Sequence, residues 1–166
     1  MAEAGKEMEK GFKDPKDREG KYLTFCLAGE EYGISILKVK EIIGMMPITT
    51  VPRTPGFIKG VINLRGKVIP VVDLRLKFEL ETADYTERTC IIVVEIANGR
   101  GASQMGIVVD AVSEVLNIKA AELEETPAFG TKLDTDYILG LAKAGGGVKI
   151  VLDIDRVLIS EETGFS

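Results

Sequence analysis

The apolar positions of the chain fall into short runs rather than long helical stripes. YLTFCL (22–27), GEEYGI (29–34), GVINL (60–64), KVIPVV (67–72), CIIVVEI (90–96), MGIVV (105–109), YILGLA (137–142) and VKIVLDI (148–154) are rich in β-branched and aromatic residues. Each is bounded by Gly, Asn, Pro or charge, which is the pattern of strands separated by turns. Four other pieces read as connectors. ILKVKEII (36–43) follows Ser35, a good N-cap, and is expected to be a short helix with Val39 and Ile42 on one face. PGFIKG (55–60) reads as a turn, and DLRLKF (73–78) and DIDRVLIS (153–160) as single helical turns behind an aspartate. None is long enough to build a helical layer, so the expected fold is mainly all-β.

The chain also repeats itself. GVINLRGKVIPVVDLRLKF (60–78) aligns without a gap on GLAKAGGGVKIVLDIDRVL (140–158), pairing Gly60 with Gly140, Gly66 with Gly146, Val68 with Val148, Val71 with Val151 and Asp73 with Asp153. Upstream, YGISILKVKEII (32–43) aligns on MGIVVDAVSEVL (105–116), pairing Gly33 with Gly106, Val39 with Val112 and Glu41 with Glu114. Such self-similarity predicts a duplicated unit. The physical solution for short antiparallel strands is two small closed sheets of about five strands each, because closure removes open edges.

Composition narrows the function. A chain of 166 residues, 45% hydrophobic, can bury a substantial core. Its net charge of −5 and its lack of basic runs argue against nucleic acid as a partner. The charged first twenty residues hold no apolar stretch, so they read as a flexible tail of a cytoplasmic protein rather than a leader or span. Histidine is absent, which removes Ser-His-Asp and Cys-His dyads and His-containing zinc sites. Cys26 and Cys90 sit in strand-like runs without metal-ligand spacing and read as buried thiols. No phosphate-binding glycine motif stands at a strand-to-helix junction, and GGG (145–147) reads as a hairpin turn. Asp73 and Asp153 are the available carboxylates for acid chemistry, yet each simply ends an apolar run.

Within GVINLRGKVIPVVDL, Arg65 interrupts an otherwise core-like segment. If GVINL and KVIPVV pair as a hairpin, Arg65-Gly66 is the reversal, and the arginine projects from a rigid tip. Pro70 then suggests an exposed edge position for the returning strand. A guanidinium held there is either a solvated turn residue or a planar clamp for an acidic partner.

YGISILKVKEIIG, VPRTPGFIKGVINLRGKVIPVVDLRLKF and MGIVVDAVSEVL together resemble the CheW-type chemotaxis coupling proteins, over roughly residues 21–160. The resemblance implies one domain of two intertwined five-stranded SH3-like β-barrel subdomains that exchange strands, between the charged tail at 1–20 and a C-terminal tail at 161–166. It further implies no catalysis and no cofactor. Its implied partners are chemoreceptor cytoplasmic tips and the regulatory domain of the histidine kinase CheA, in membrane-associated arrays. The family's receptor-facing groove falls on Val39, Glu41, Ile42, Arg65, Cys90 and Val115, with Cys90 standing where the family usually has an aliphatic residue. The kinase face falls on Leu23, Ile34 and Leu37, and a second, array-forming contact on Phe129 in TPAFGT. A free-standing SH3- or OB-like ligand module would need an aromatic-lined groove, and six Phe, four Tyr and no Trp speak against it. A related family type carries a receiver domain after the coupling domain, but no βα alternation follows here.

Overall fold

The computed structural model describes residues 18–98, 101–125, 137–144 and 146–158. Eleven strands are formed among them: β1 (Gly20–Leu27), β2 (Glu30–Ser35), β3 (Val39–Gly44), β4 (Ile58–Leu64), β5 (Lys67–Asp73), β6 (Cys90–Asn98), β7 (Gly101–Val109), β8 (Ala111–Ile118), β9 (Leu123–Glu124), β10 (Ile138–Ala144) and β11 (Gly147–Leu152). Two single-turn helices, α1 (Leu74–Lys77) and α2 (Ile154–Val157), follow the two long hairpins. The strands make a six-stranded sheet in the order β8-β1-β2-β11-β10-β9 and a five-stranded sheet in the order β3-β6-β7-β5-β4. Residues 1–17 of the expected tail, the Phe129 loop and the C-terminal tail lie outside the described residues, whereas residues 18–20 are not a free tail: Arg18 Nη1 donates to Leu139 O at 2.7 Å, Glu19 Oε1 accepts from Ala120 N at 3.2 Å, and Gly20 opens β1.

Neither sheet is a continuous half of the chain. β1 and β2 share a sheet with β8, β10 and β11, while β6 and β7 share one with β3, β4 and β5. The duplication seen in the sequence appears in the ladders themselves. Gly33 faces Val151 on the parallel seam of one sheet, and Gly106 faces Val71 on that of the other. The hairpins shift register between Ile58 and Gly60 and again between Ile138 and Gly140. The edge ladders bulge alike, with Val39 opposite Val94 and Ile42 opposite Ile92 in one, and Val112 opposite Phe25 and Val115 opposite Leu23 in the other.

The largest core lies between the sheets and draws on both, from Phe25, Leu27 and Ile34 to Val72, Ile92 and Ile107. It also buries α2 through Ile154 and Val157. The other face of each sheet encloses a smaller cluster: Ile62, Ile69, Val71, Ile91, Val93 and Val108 in the five-stranded sheet, and Tyr22, Ile118, Ala142 and Val151 in the six-stranded one. In the five-stranded sheet both edge strands feed that cluster, Ile43 from β3 and Ile62 from β4, so the sheet is strongly curled.

Two expectations change. ILKVKEII is not a helix: Ser35 Oγ accepts from Leu37 N and caps a single 3-10 turn, Ile36–Lys38, after which the chain extends as β3. A β-branched run beside an open ladder pairs rather than coils. Pro70 is on an edge only locally: β5 is an interior strand between β4 and β7, but β7 pairs with it only from Val71 on. Val61, opposite Pro70, spends both its N–H and its carbonyl on Thr49, so the Val61–Pro70 pair is not hydrogen-bonded. The missing N–H of Pro70 therefore points toward β7, where the ladder begins only at Val71. Pro70, in the middle of β5, thus stands where one side of the strand asks for no donor.

Candidate functional site

Arg65 and Gly66 form the two-residue reversal between β4 and β5, with φ of 52° and 86°. Both positive values define the primed turn that suits the twist of paired strands. Asn63 Oδ1 accepts from Gly66 N at 2.8 Å and stiffens the tip. From there the Arg65 guanidinium reaches Glu41 on β3 in an ion pair. β3 and β4 are the two edges of the five-stranded sheet, so this contact spans the gap between them. Arg65 remains 68% exposed, with most of its donor fork turned to solvent. Glu41's hydrogen bond and charge hold the guanidinium more firmly protonated.

Val39 and Ile42 do share a face, as expected, but through the bulge in β3 and not through helical spacing. Val39 is partly buried against the main core, whereas Ile42 is 45% exposed. Val115 occupies the equivalent position on β8 and is 50% exposed. The two edge strands thus present one large aliphatic side chain each at matching register. Cys90 lies at the start of β6, half-buried against the main core, and burial pushes its thiol pKa up. Cys26 is likewise only partly buried, and its Sγ donates to Glu31 Oε2 at 3.2 Å, so the two thiols expected to be buried are each partly exposed.

The second set of sequence-derived positions separates. Leu37, on the 3-10 turn between β2 and β3, is 88% exposed. Leu23 and Ile34 face each other across β1 and β2 inside the main core, at 2% and 0% exposure. Their side chains have no surface to offer a partner, so any role at an interface runs through the strands they fix. Phe129 lies outside the described residues.

The acidic candidates are caps. Asp73 Oδ1 accepts from Arg75 N at 3.0 Å at the start of α1, and its Oδ2 accepts from Tyr85 Oη at 3.0 Å. Asp153 Oδ1 accepts from Arg156 N at the start of α2, and burial raises its pKa. No group of three or more Cys, Asp or Glu side chains is placed to hold a metal among the described residues, and no described helix is long and apolar enough to cross a membrane.

One polar feature escaped the sequence reading. Arg75 on α1 clamps Asp110, in the β7–β8 turn, with Nε at 2.9 Å and Nη2 at 2.7 Å, and Asp110 also accepts from Ala28 N at 2.8 Å. The cluster ties the helix behind one sheet to the β1–β2 turn of the other. Nothing in the sequence marks Arg75 and Asp110 as partners. The bond from Arg75 holds the Asp110 carboxyl below its ordinary range, against partial burial and with help from Ala28 N–H. Its stabilisation is therefore complete above the unfolded carboxyl value, near pH 4, and is lost as pH falls through the lower folded value. Arg75→Met is expected to cost about 2 kcal/mol at pH 7. The gap between wild type and variant in urea unfolding should shrink steadily below about pH 4, and a gap constant down to pH 2 would remove Asp110 from the account.

A family model described as the CheW-like domain matches residues 21–162. The chain belongs to the CheW-like family. Among relatives, the chemotaxis protein CheW of Klebsiella aerogenes is 45% identical over 141 residues, covering 85% of this chain and 82% of its own. That of Bacillus subtilis is 34% identical over 144 residues, covering 86% and 89%. Among solved structures, the crystal structure of the scaffolding protein TtCheW from Thermoanaerobacter tengcongensis has a TM-score of 0.76 and 38% identity, covering 84% of this chain and 92% of that one. As a CheW-like protein the chain is a non-catalytic scaffold of chemotaxis signalling. That role accounts for carboxylates spent on helix caps and for aliphatic side chains left on the outside of edge strands.

Proposed function

We propose that this chain joins the cytoplasmic tips of chemoreceptors to the regulatory domain of the histidine kinase CheA, in arrays at the membrane. The supporting observation is the pairing of two exposed aliphatic side chains, Ile42 and Val115, at equivalent positions of two edge strands, beside an arginine fixed on a rigid turn. Exposed aliphatic side chains with a polar marker suit the amphipathic helices of a receptor tip. Val39 and Cys90, partly buried on β3 and β6, and Glu41, which holds Arg65, are assigned to the same receptor surface. Leu37 projects from a different element and is the natural anchor for the kinase, because a large aliphatic held almost wholly in solvent gains most from burial. Leu23 and Ile34, buried in the main core, are kept as positions that fix β1 and β2 rather than as contacts. Phe129 is kept as the second, array-forming contact.

Capture of receptor cytoplasmic fragments and of the kinase regulatory domain by the immobilised chain tests the two surfaces separately. Leu37→Asp is expected to weaken kinase capture about tenfold or more while receptor capture survives. Arg65→Ala is expected to do the reverse. Loss of both captures in either variant, with a lowered melting temperature, would mean that the residue serves the fold instead.

A further inference from the structure

The parallel seam at the middle of each sheet is finished differently in the two. In the six-stranded sheet β2 and β11 pair at Tyr32 with Ile150 and Gly33 with Val151. Just beyond that ladder Glu31 and the buried Lys149 face each other across the seam at 3.8 Å. The Glu31 carboxylate there also accepts from Ser113 Oγ at 3.1 Å. In the five-stranded sheet the seam pairs Val71 to Asp73 with Gly106 to Val108. The residues that match Glu31 and Lys149 by register are Gln104 and Ile69, which form no ion pair across it. β7 nevertheless runs on to Gly101 and β5 to Lys67, each paired on its outer side, with β6 and β4 respectively. Between them opens a cleft of about 410 Å³, lined by Lys67, Val68, Ile69 and Pro70 on one wall and Glu95 and Gln104 on the other.

We propose that this cleft receives an extended, acidic segment of a partner protein, added as a strand between β5 and β7. Two strand edges left unpaired by each other are a template for backbone pairing, and the pockets between alternate side chains supply selectivity. The charge on the rim sets the chemistry of the segment. Glu95 is neutralised by Lys40 at 3.4 Å, whereas Lys67 is exposed and has no ion-pair partner among the described residues. Val68, 67% exposed beside it, offers an apolar contact to the segment's alternate side chains. Because Lys67 and Ile69 turn their backbone groups to β4 and Pro70 has no N–H, the donor that this stretch of β5 offers to the cleft is Val68 N–H. The duplicated sheet supplies the internal contrast: where Glu31 and Lys149 bridge the equivalent seam, the segment has no place to enter.

The test uses the full chain and a fluorescein-labelled heptapeptide of alternating glutamate and valine. Its controls are the same peptide N-methylated at alternate residues and a version with lysine for glutamate. Anisotropy should show saturable binding of the glutamate peptide with a Kd below about 1 mM, and amide exchange should slow at the cleft-facing amides of Val68, Ala102 and Gln104. The N-methylated peptide should not bind. Lys67→Glu, an exposed substitution that leaves the fold intact, should weaken the glutamate peptide about two- to fivefold and favour the lysine version. The double variant Ile69→Lys with Gln104→Glu should install the bridge of the other sheet and abolish binding; if it fails to fold, Lys67→Glu and the N-methylated control decide. The proposal is overturned by no saturable binding at about 1 mM, by equal binding of the N-methylated peptide, by protection at β3 or β8 instead, or by self-association of the chain through the cleft without peptide.

Discussion

Alanine at position 60 is expected to lower the melting temperature by roughly 6–12 °C, or to prevent folding, while alanine at the matching Gly140 does less. A Cβ on Gly60 would lie 2.0 Å from the Thr49 carbonyl oxygen, and the residue holds φ of 146°, which side chains rarely adopt. Strain and clash act together and are expected to cost about 3 kcal/mol or more. The Thr49 backbone cannot withdraw without surrendering its two hydrogen bonds to Val61, which anchor the segment before β4 to the Arg65 hairpin. At Gly140 the approach is 2.8 Å, to the Glu124 carbonyl oxygen on the short β9, where a small shift relieves it. Thermal unfolding of both variants checks the order, and equal losses would show that the backbone conformation at Gly60 contributes nothing of its own.

The same pair of glycines shows why the duplication was legible. Glycines that admit a carbonyl or a neighbouring strand, and aspartates that cap α1 and α2, are required by local geometry, so Gly60 and Gly140 or Asp73 and Asp153 stand at fixed spacing whatever their surroundings. Strands buried on both faces, such as β6, were legible for a related reason, being near-continuous apolar runs. β3 and β8 were not. One side of each edge strand meets solvent and a bulge breaks its alternation, so Lys40, Glu41 and Ile42 print a spacing close to that of a helix. β9, two residues long, owes its existence to β10 alone. The interior position of β5 was hidden because the rule against proline within a sheet concerns the missing donor, and the direction of that donor is set by Thr49, remote in sequence.

For the candidate surface, pattern and resemblance contributed unequally. The rigid arginine tip followed from turn chemistry alone, since Arg65-Gly66 between two apolar runs admits few other readings. That its guanidinium meets Glu41 depends on the curl of a whole sheet, which no local pattern encodes. Leu37 and Ile34 look alike in sequence, yet the 3-10 turn capped by Ser35 rotates one into solvent while β2 carries the other into the core. The Arg75–Asp110 clamp joins a helix to a turn 35 residues away and leaves no trace in composition.

Exchanging the charges of Arg65 and Glu41 separates the two roles that the ion pair can play. Arg65→Glu alone sets two carboxylates against each other across the sheet edges and removes the cation from the tip, so receptor capture is expected to fall about tenfold or more. Adding Glu41→Arg restores an opposite-charge pair between β3 and the hairpin tip, and the melting temperature should return to that of wild type. If the pair only braces the curled sheet, capture returns with it. Because the planar fork of Arg65 is largely exposed at a tip whose backbone is fixed, it is expected to meet a carboxylate of the partner directly. On that expectation the double variant folds as well as wild type and still fails to hold the receptor fragment, and its kinase capture through Leu37 is untouched. Titrating salt provides the second reading of the same experiment. Wild-type capture should weaken as ionic strength rises, whereas residual capture by the double variant, resting on Ile42 and Val115 alone, should be nearly flat.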